Sequence, residues 1–423
     1  MTHQSVCTSK SLAPANSSSA SVSNLSEKKR RSATLQELMP ILCMALGTFA
    51  IGTEGFMIAP LLPKMAVDFG HSVSTVAQLV TVFTITLALS SPVMTVLTAN
   101  LNRRNVLLWS MALFTAGNIF AWLSSDYSSL MIARILLAIA SGLYVPNANA
   151  LAGAIAGPEK RGQALAIVSG GMTIAIALGL PLGSLIGHAL GWRATFFAVG
   201  GMSLIAAAGI YAGVNKDAGR EIRVAGLAER VKVATSPAVL KPLFVTAFWA
   251  MGAYTAYPFI APYLSQTLNF AETGIGATVS LWGASAAVGV LIGGKLTDRI
   301  GYPRVIVPSL LLLALAFVVM AFSALALTPD IAFIPVLAAI SLWGITVWSF
   351  FPAQMANLIN AGGPQTASVT LSLNTSVMYA GFSLGSAMGS IVIAAGNSWQ
   401  IGAVAAISEI VALAIFLGTR RAS

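Results

Sequence analysis

The sequence predicts an all-α membrane protein, with twelve transmembrane helices in two pseudo-symmetric six-helix bundles. Three observations carry this. Hydrophobic residues make up 57% of the 423-residue chain and charged residues only 9%, against roughly 25% in a soluble domain; mean hydropathy is +0.83. Apolar segments recur at close to the ~20 residues needed to cross ~30 Å of hydrocarbon. The two halves also repeat: Pro146, Pro158, Gly179 and Gly183 return as Pro352, Pro364, Gly385 and Gly389, each 206 residues on.

Residues 1–35 are rich in Ser, Ala and Asn and close on Glu27-Lys-Lys-Arg-Arg31. With few large apolar residues they are expected to be a disordered cytoplasmic tail. They are not read as a secretory signal, because a full-length span follows with no clear small-residue cleavage site. The first bundle, residues 36–214, holds predicted spans 38–60, 76–98, 105–123, 129–152, 163–188 and 194–214. Residues 215–239 form a polar cytoplasmic linker. The second bundle, residues 240–423, holds 240–264, 275–295, 304–326, 331–356, 366–392 and 399–418.

Charge sets the orientation. With the N-terminus in the cytoplasm, nearly all of the 23 Lys and Arg fall on the cytoplasmic side; Lys64, Arg193 and the intramembrane Arg134 are the exceptions. That bias is the positive-inside pattern and places both termini inside. It also accounts for the net charge of +10 through contact with anionic headgroups, without nucleic acid as a partner. Cys7 and Cys43 cannot build a disulfide framework, and the scattered His3, His71 and His188 do not form a metal site. No metalloprotease, Walker A or nucleophile-elbow motif is present, so an enzyme is not expected, nor is a cofactor.

Glu54 stands out. A carboxyl group in hydrocarbon costs several kcal/mol unless neutral, paired or facing water. Two roles are open: it faces an internal cavity and takes part in transport, or it locks helices together. Arg134 is the one cation inside a span. It can pair with Glu54 if the first and fourth spans are adjacent, either to relay protons or to fix packing, or it can snorkel to the interface. Glu409, in the last span, is expected to be structural.

The fifth span reads Gly179-Leu-Pro-Leu-Gly-Ser-Leu-Ile-Gly187 and the eleventh Gly381-Phe-Ser-Leu-Gly-Ser-Ala-Met-Gly389. Glycine at every fourth position lays a stripe along one face, where a neighbouring backbone can come close. Paired six-span halves of this kind mark transporters built from repeats, with the site at the repeat interface near the midplane.

Gly294-Lys-Leu-Thr-Asp-Arg-Ile-Gly301 resembles the Gly-x-Leu-Ala-Asp-Arg-x-Gly loop of the major facilitator superfamily. The first-half equivalent, residues 95–104, keeps Leu97, Arg103 and Arg104 but has Ala99 in place of the acid. Gly52-Thr-Glu-Gly-Phe-Met-Ile-Ala-Pro-Leu-Leu-Pro63, Ala133-Arg134, Gly179-Leu-Pro-Leu-Gly183 and Gly191-Trp-Arg-Ala-Thr-Phe196 are similar to motifs of its twelve-span drug:proton antiporter branch, although Ala138 replaces a usual glycine. Within the branch the chain looks closest to bacterial exporters of sugars, nucleosides and chloramphenicol-like compounds.

The resemblance implies the major facilitator fold, a monomer in the bacterial inner membrane, and proton-coupled efflux of a small neutral or amphipathic solute by alternating access. Proton symport and facilitated uptake stay open as alternatives. Glu54 and Arg134 would couple protons. Asp298, Arg299, Gly294 and Gly301, with Gly179, Pro181 and Gly183, would gate. The first, fourth, seventh and tenth spans would line the cavity, so Asn147, Asn149, Trp249, Tyr254, Tyr257, Gln354 and Asn357 are candidate solute contacts, Trp348 can stack, and Asn118 and Asn374 are secondary.

Overall fold

The computed structural model describes residues 18–219, 227–363 and 366–421. The first 17 residues of the expected tail, linker residues 220–226 and Pro364 of the repeat lie outside the described residues. Among the described residues, twelve helices are long and apolar enough to cross a membrane. They are Leu38–Phe69, Val73–Leu97, Arg103–Leu123, Tyr127–Ile155, Glu159–Leu190 and Trp192–Gly213 in the first half. The second half has Pro237–Leu268, Glu272–Ile300, Pro303–Ala326, Pro329–Gly362, Val369–Ala394 and Ser398–Gly418. We refer to these as spans 1 to 12.

Each span overlaps its predicted segment, with instructive differences at the ends. The helix of span 1 reaches back to Ser18, into the segment that composition predicted to be disordered. Its Leu, Glu, Lys and Arg content favours helix once a stable span is there to propagate from. Spans 1 and 7 both run past their predicted ends, each through a 3-10 turn, at Ala59–Leu61 and Tyr257–Phe259. Pro60 and Pro258 interrupt the helical hydrogen bonds there, and the chain resumes helix rather than stopping. Span 5 carries a π turn at Ala175–Gly179, two residues before Pro181, whose missing N–H frees a carbonyl one turn back.

Glycine stripes set the packing inside each half. Gly179, Gly183 and Gly187 of span 5 lie against Thr53, Met57 and Leu61 of span 1. Gly381, Gly385 and Gly389 of span 11 lie against Ala247, Met251 and Phe259 of span 7. The repeat therefore places the same contact, fifth helix on first, in both halves.

One face of the bundle gathers Arg103, Arg104, Lys295, Arg299 and Arg304; we call it the basic face, and the opposite one the far face. On the far face Trp192 donates its indole N–H to Asp68 (2.8 Å), and Arg193 pairs with Asp68 at 3.5 Å and donates to the Ser124 carbonyl at 3.0 Å. Asp126 caps span 4 by accepting from the Ser129 N–H at 2.9 Å. That bond, with help from neighbouring hydroxyls, holds the Asp126 carboxyl below the usual carboxylate range.

The halves are joined in their far part. Tyr257 donates to the Phe56 carbonyl at 2.8 Å, Thr81 donates to Ser386 at 3.0 Å, Ser383 donates to the Thr81 carbonyl at 3.1 Å, and His188 meets Glu272 at 3.1 Å. Gly283 of span 8 rests on the Ile176 carbonyl in the π turn. Where span 8 meets span 5 across the seam, it does so at residues 175–190 more than at the basic end of span 5. The seam is thus closed toward the far face.

Candidate functional site

Span 1 brings Glu54 and span 4 brings Arg134 to one point inside the first half, and the two side chains form an ion pair with neither exposed. Arg134 does not snorkel. Its Nε donates to the Leu79 carbonyl of span 2 at 3.3 Å, and its guanidinium lies 4.0 Å from the centre of the Phe83 ring. The pair is incompletely satisfied: Glu54 Oε2 and Arg134 Nη2 have no partner among the described residues. Removing two charges from water is costly, and this geometry recovers the cost only in part.

Phe56 follows Glu54 two residues on and points into a small cavity between the halves. Trp249, Tyr254, Tyr257, Trp282, Trp343, Trp348 and Phe382 form the rest of its aromatic wall, and the cavity they leave is narrow, about 10 Å³, room for about one water. Tyr254 stacks on Phe382 with centroids 3.7 Å apart, and Trp282 meets Trp343 edge-on at 5.5 Å. The indole N–H groups of Trp249, Trp282, Trp343 and Trp348 are buried without an acceptor among the described residues. Ionisable carboxylates and cations are absent from the lining.

Of the candidate contacts, Trp249, Tyr254 and Tyr257 line this cavity and the amides lie elsewhere. Asn147 accepts from Arg103 at 3.0 Å. Gln354 donates to the Pro242 carbonyl and to Thr246 at 2.7 and 2.9 Å, and accepts from Asn357 at 3.0 Å. Thr246 in turn donates to Asn374 at 2.7 Å, so these amides tie spans 7, 10 and 11 together. Asn149 donates to its own helix at Val145, and Asn118 to Phe114. Phe56, Trp282, Trp343 and Phe382 also line the cavity and are not among the contacts the sequence suggests. Their signal is mid-span position: Trp usually sits at the membrane interface, and a Trp at mid-span has its N–H in need of a protein or ligand partner.

The two basic-face loops differ. Arg103 is buried and donates to the Thr98 and Ala99 carbonyls at 3.2 and 2.7 Å. Backbone carbonyls and Asn147 thus stand in for the acid that Ala99 lacks. Arg104 donates to the Tyr211 carbonyl at 2.7 Å. In the second half Asp298 and Arg299 are exposed and make no ion pair among the described residues, Gly294 is open to its surroundings, and Gly301 ends span 8 at φ +82°.

Comparison with known proteins agrees with this architecture. The MFS-type transporter YbcL of Bacillus subtilis (strain 168) is 30% identical over 353 residues, covering 84% of this chain and 88% of that protein. The inner membrane transport protein YdhP of Escherichia coli (strain K12) is 28% identical, covering 90% and 96%. A chloramphenicol resistance protein of Streptomyces lividans is 30% identical, covering 62% and 67%. Among solved structures, a bacterial homologue of the human lysosomal transporter Spinster, inward-facing and unoccupied, superposes with a TM-score of 0.74 at 19% identity, covering 91% and 97%; it bears on the fold alone. The sequence matches the Major Facilitator Superfamily over residues 44–386 and 243–423, and with its twelve spans and paired halves the chain belongs to that family of membrane transporters.

Proposed function

We propose that this transporter exports a small neutral or amphipathic organic solute in exchange for protons, with Glu54 as the proton-carrying group and Arg134 as its partner. The observation that carries the reading is the fully buried, incompletely satisfied Glu54–Arg134 pair two residues from a cavity-lining ring. Protonating Glu54 removes the charge that holds Arg134, and spans 1, 2 and 4 then have a different preferred packing. A solute that favours one packing competes with the proton that favours the other, which is linkage between two sites. In this reading the basic face is cytoplasmic, so the structure corresponds to the state closed to the outside, and the chain works as a monomer in a bacterial inner membrane.

The wall chemistry narrows the solute. Aromatic faces favour flat or apolar groups. Four indole donors without acceptors favour a solute that brings carbonyl, ether or nitro oxygens. A phosphorylated solute would need cations that the wall lacks. The likeness to a chloramphenicol resistance protein supports export and makes chloramphenicol the first probe.

Adding chloramphenicol to the purified protein in lightly buffered detergent, at a pH low enough that Glu54 of the free protein carries its proton, should release up to about one proton per bound molecule, read with a pH indicator. Glu54→Gln should bind with no release. Equal release from both proteins would remove Glu54 from the coupling.

A further inference from the structure

Glu409 lies midway along span 12, fully buried. A glutamate kept for structure would hydrogen-bond across to a neighbouring helix. Here neither carboxyl oxygen meets a donor among the described residues. Span 12 packs on spans 7, 9 and 11. From span 7 the carboxyl meets Gly252, where an added methyl would fall 3.1 Å from Glu409 Cδ.

No charge on those helices reaches it. Lys241 of span 7 sits about 16 Å away along the helix from Gly252, at 1.5 Å per residue. Arg304 of span 9 is exposed on the basic face and donates to the Ile300 carbonyl at 3.3 Å. The tyrosines of these helices are engaged with other groups. Tyr254 stacks on Phe382, and Tyr379 meets the same ring edge-on. Tyr257 donates to Phe56, and Tyr263 donates to the Met320 carbonyl at 2.8 Å. Span 11 carries no Asp, Glu, Lys, Arg or His. An ionised carboxylate with neither cation nor donor would cost several kcal/mol.

We propose that Glu409 is a second proton-binding site, in the C-terminal half, and that span 7 senses its occupancy. The neutral acid fits the closed seam between spans 7 and 12. Ionisation needs water or a donor, and only parting of the two helices supplies one. Proton loss and helix separation are therefore linked. On span 7, Trp249, Ala253 and Tyr254 flank Gly252 and line the aromatic cavity, so movement at the seam is felt there. Ser408, next to Glu409, donates to the Phe248 carbonyl at 2.7 Å and anchors the same two helices.

Infrared spectroscopy of the full-length protein in lipid nanodiscs tests this without any transported solute, so it stands or falls apart from the efflux reading. At neutral pH the spectrum should hold a carboxylic acid C=O band that Glu409→Gln deletes and Glu409→Asp moves. The band should fade under alkaline conditions, and Gly252→Ala, which crowds the carboxyl, should shift the pH at which it fades by about one unit, a tenfold change in proton affinity. If Glu409→Gln fails to fold, the displaced band of Glu409→Asp keeps the assignment. Absence of the band at every pH between about 5 and 10 would overturn the proposal. So would a band that survives to the alkaline limit and ignores Gly252→Ala, which would make Glu409 a permanently neutral structural group.

Discussion

Glu54 and Arg134 each cost more alone than together. Removing one partner of a buried ion pair strands the other charge, at about 3–5 kcal/mol, whereas replacing both can be nearly neutral. Arg134→Met is therefore expected to lower unfolding stability in detergent by about that amount, and Glu54→Gln/Arg134→Met to recover most of it. Strictly additive losses would show that the two side chains do not act as a pair. Glu54 was legible in the sequence because a lone carboxyl at mid-span is conspicuous in hydrocarbon. Its partner was legible only through the family fold, which makes spans 1 and 4 neighbours. The fates of Asn147, Gln354 and Asn357 could not be read, because an amide that faces a cavity and one that ties helices together look the same in one dimension.

Turns and helix faces follow local rules that the sequence states openly. The Gly-x-x-x-Gly stripes announced a close helix contact, and span 1 against span 5 and span 7 against span 11 are those contacts. A methyl at Gly183 would lie 2.7 Å from Met57 Cβ, and one at Gly385 would meet the Met251 carbonyl. Gly183→Ala and Gly385→Ala should each destabilise the fold by about 1–3 kcal/mol through overpacking, read by thermal unfolding; no loss at either site would mean that the helices slide apart freely. At the start of span 4, Asp126 has a folded-state pKa below its unfolded value. Its contribution is present above about pH 4 and is lost as pH falls through the folded-state value. Asp126→Ser, an uncharged cap, should remove that acid dependence of the melting temperature while keeping the helix. The 3-10 turns at Pro60 and Pro258 were less legible: a proline in an apolar run signals a break, and tertiary packing decides whether helix resumes beyond it.

Across the whole molecule, twelve spans and two halves were readable because a bilayer demands apolar segments of fixed length and because proline and glycine positions recur 206 residues on. The aromatic cavity was not, since helices buried on most sides show no hydrophobic period to tell which face points inward. Closure on the far face rests on a few bonds between the halves, among them Tyr257 to Phe56. Tyr257→Phe removes one hydrogen bond, about 1 kcal/mol, and should shift the population about fivefold away from the closed seam. In a background lacking Cys7 and Cys43, oxidative cross-linking of Thr81→Cys with Ser386→Cys should then slow; an unchanged rate would show that this bond does not hold the seam.

Proton-driven flux in proteoliposomes tests the central claim most directly. With an imposed pH gradient, the wild type should move chloramphenicol against its concentration gradient, and Glu54→Gln should lose that dependence while still exchanging solute at equilibrium. Equal gradient-driven transport by both proteins would contradict the account, as would wild-type movement indifferent to the gradient.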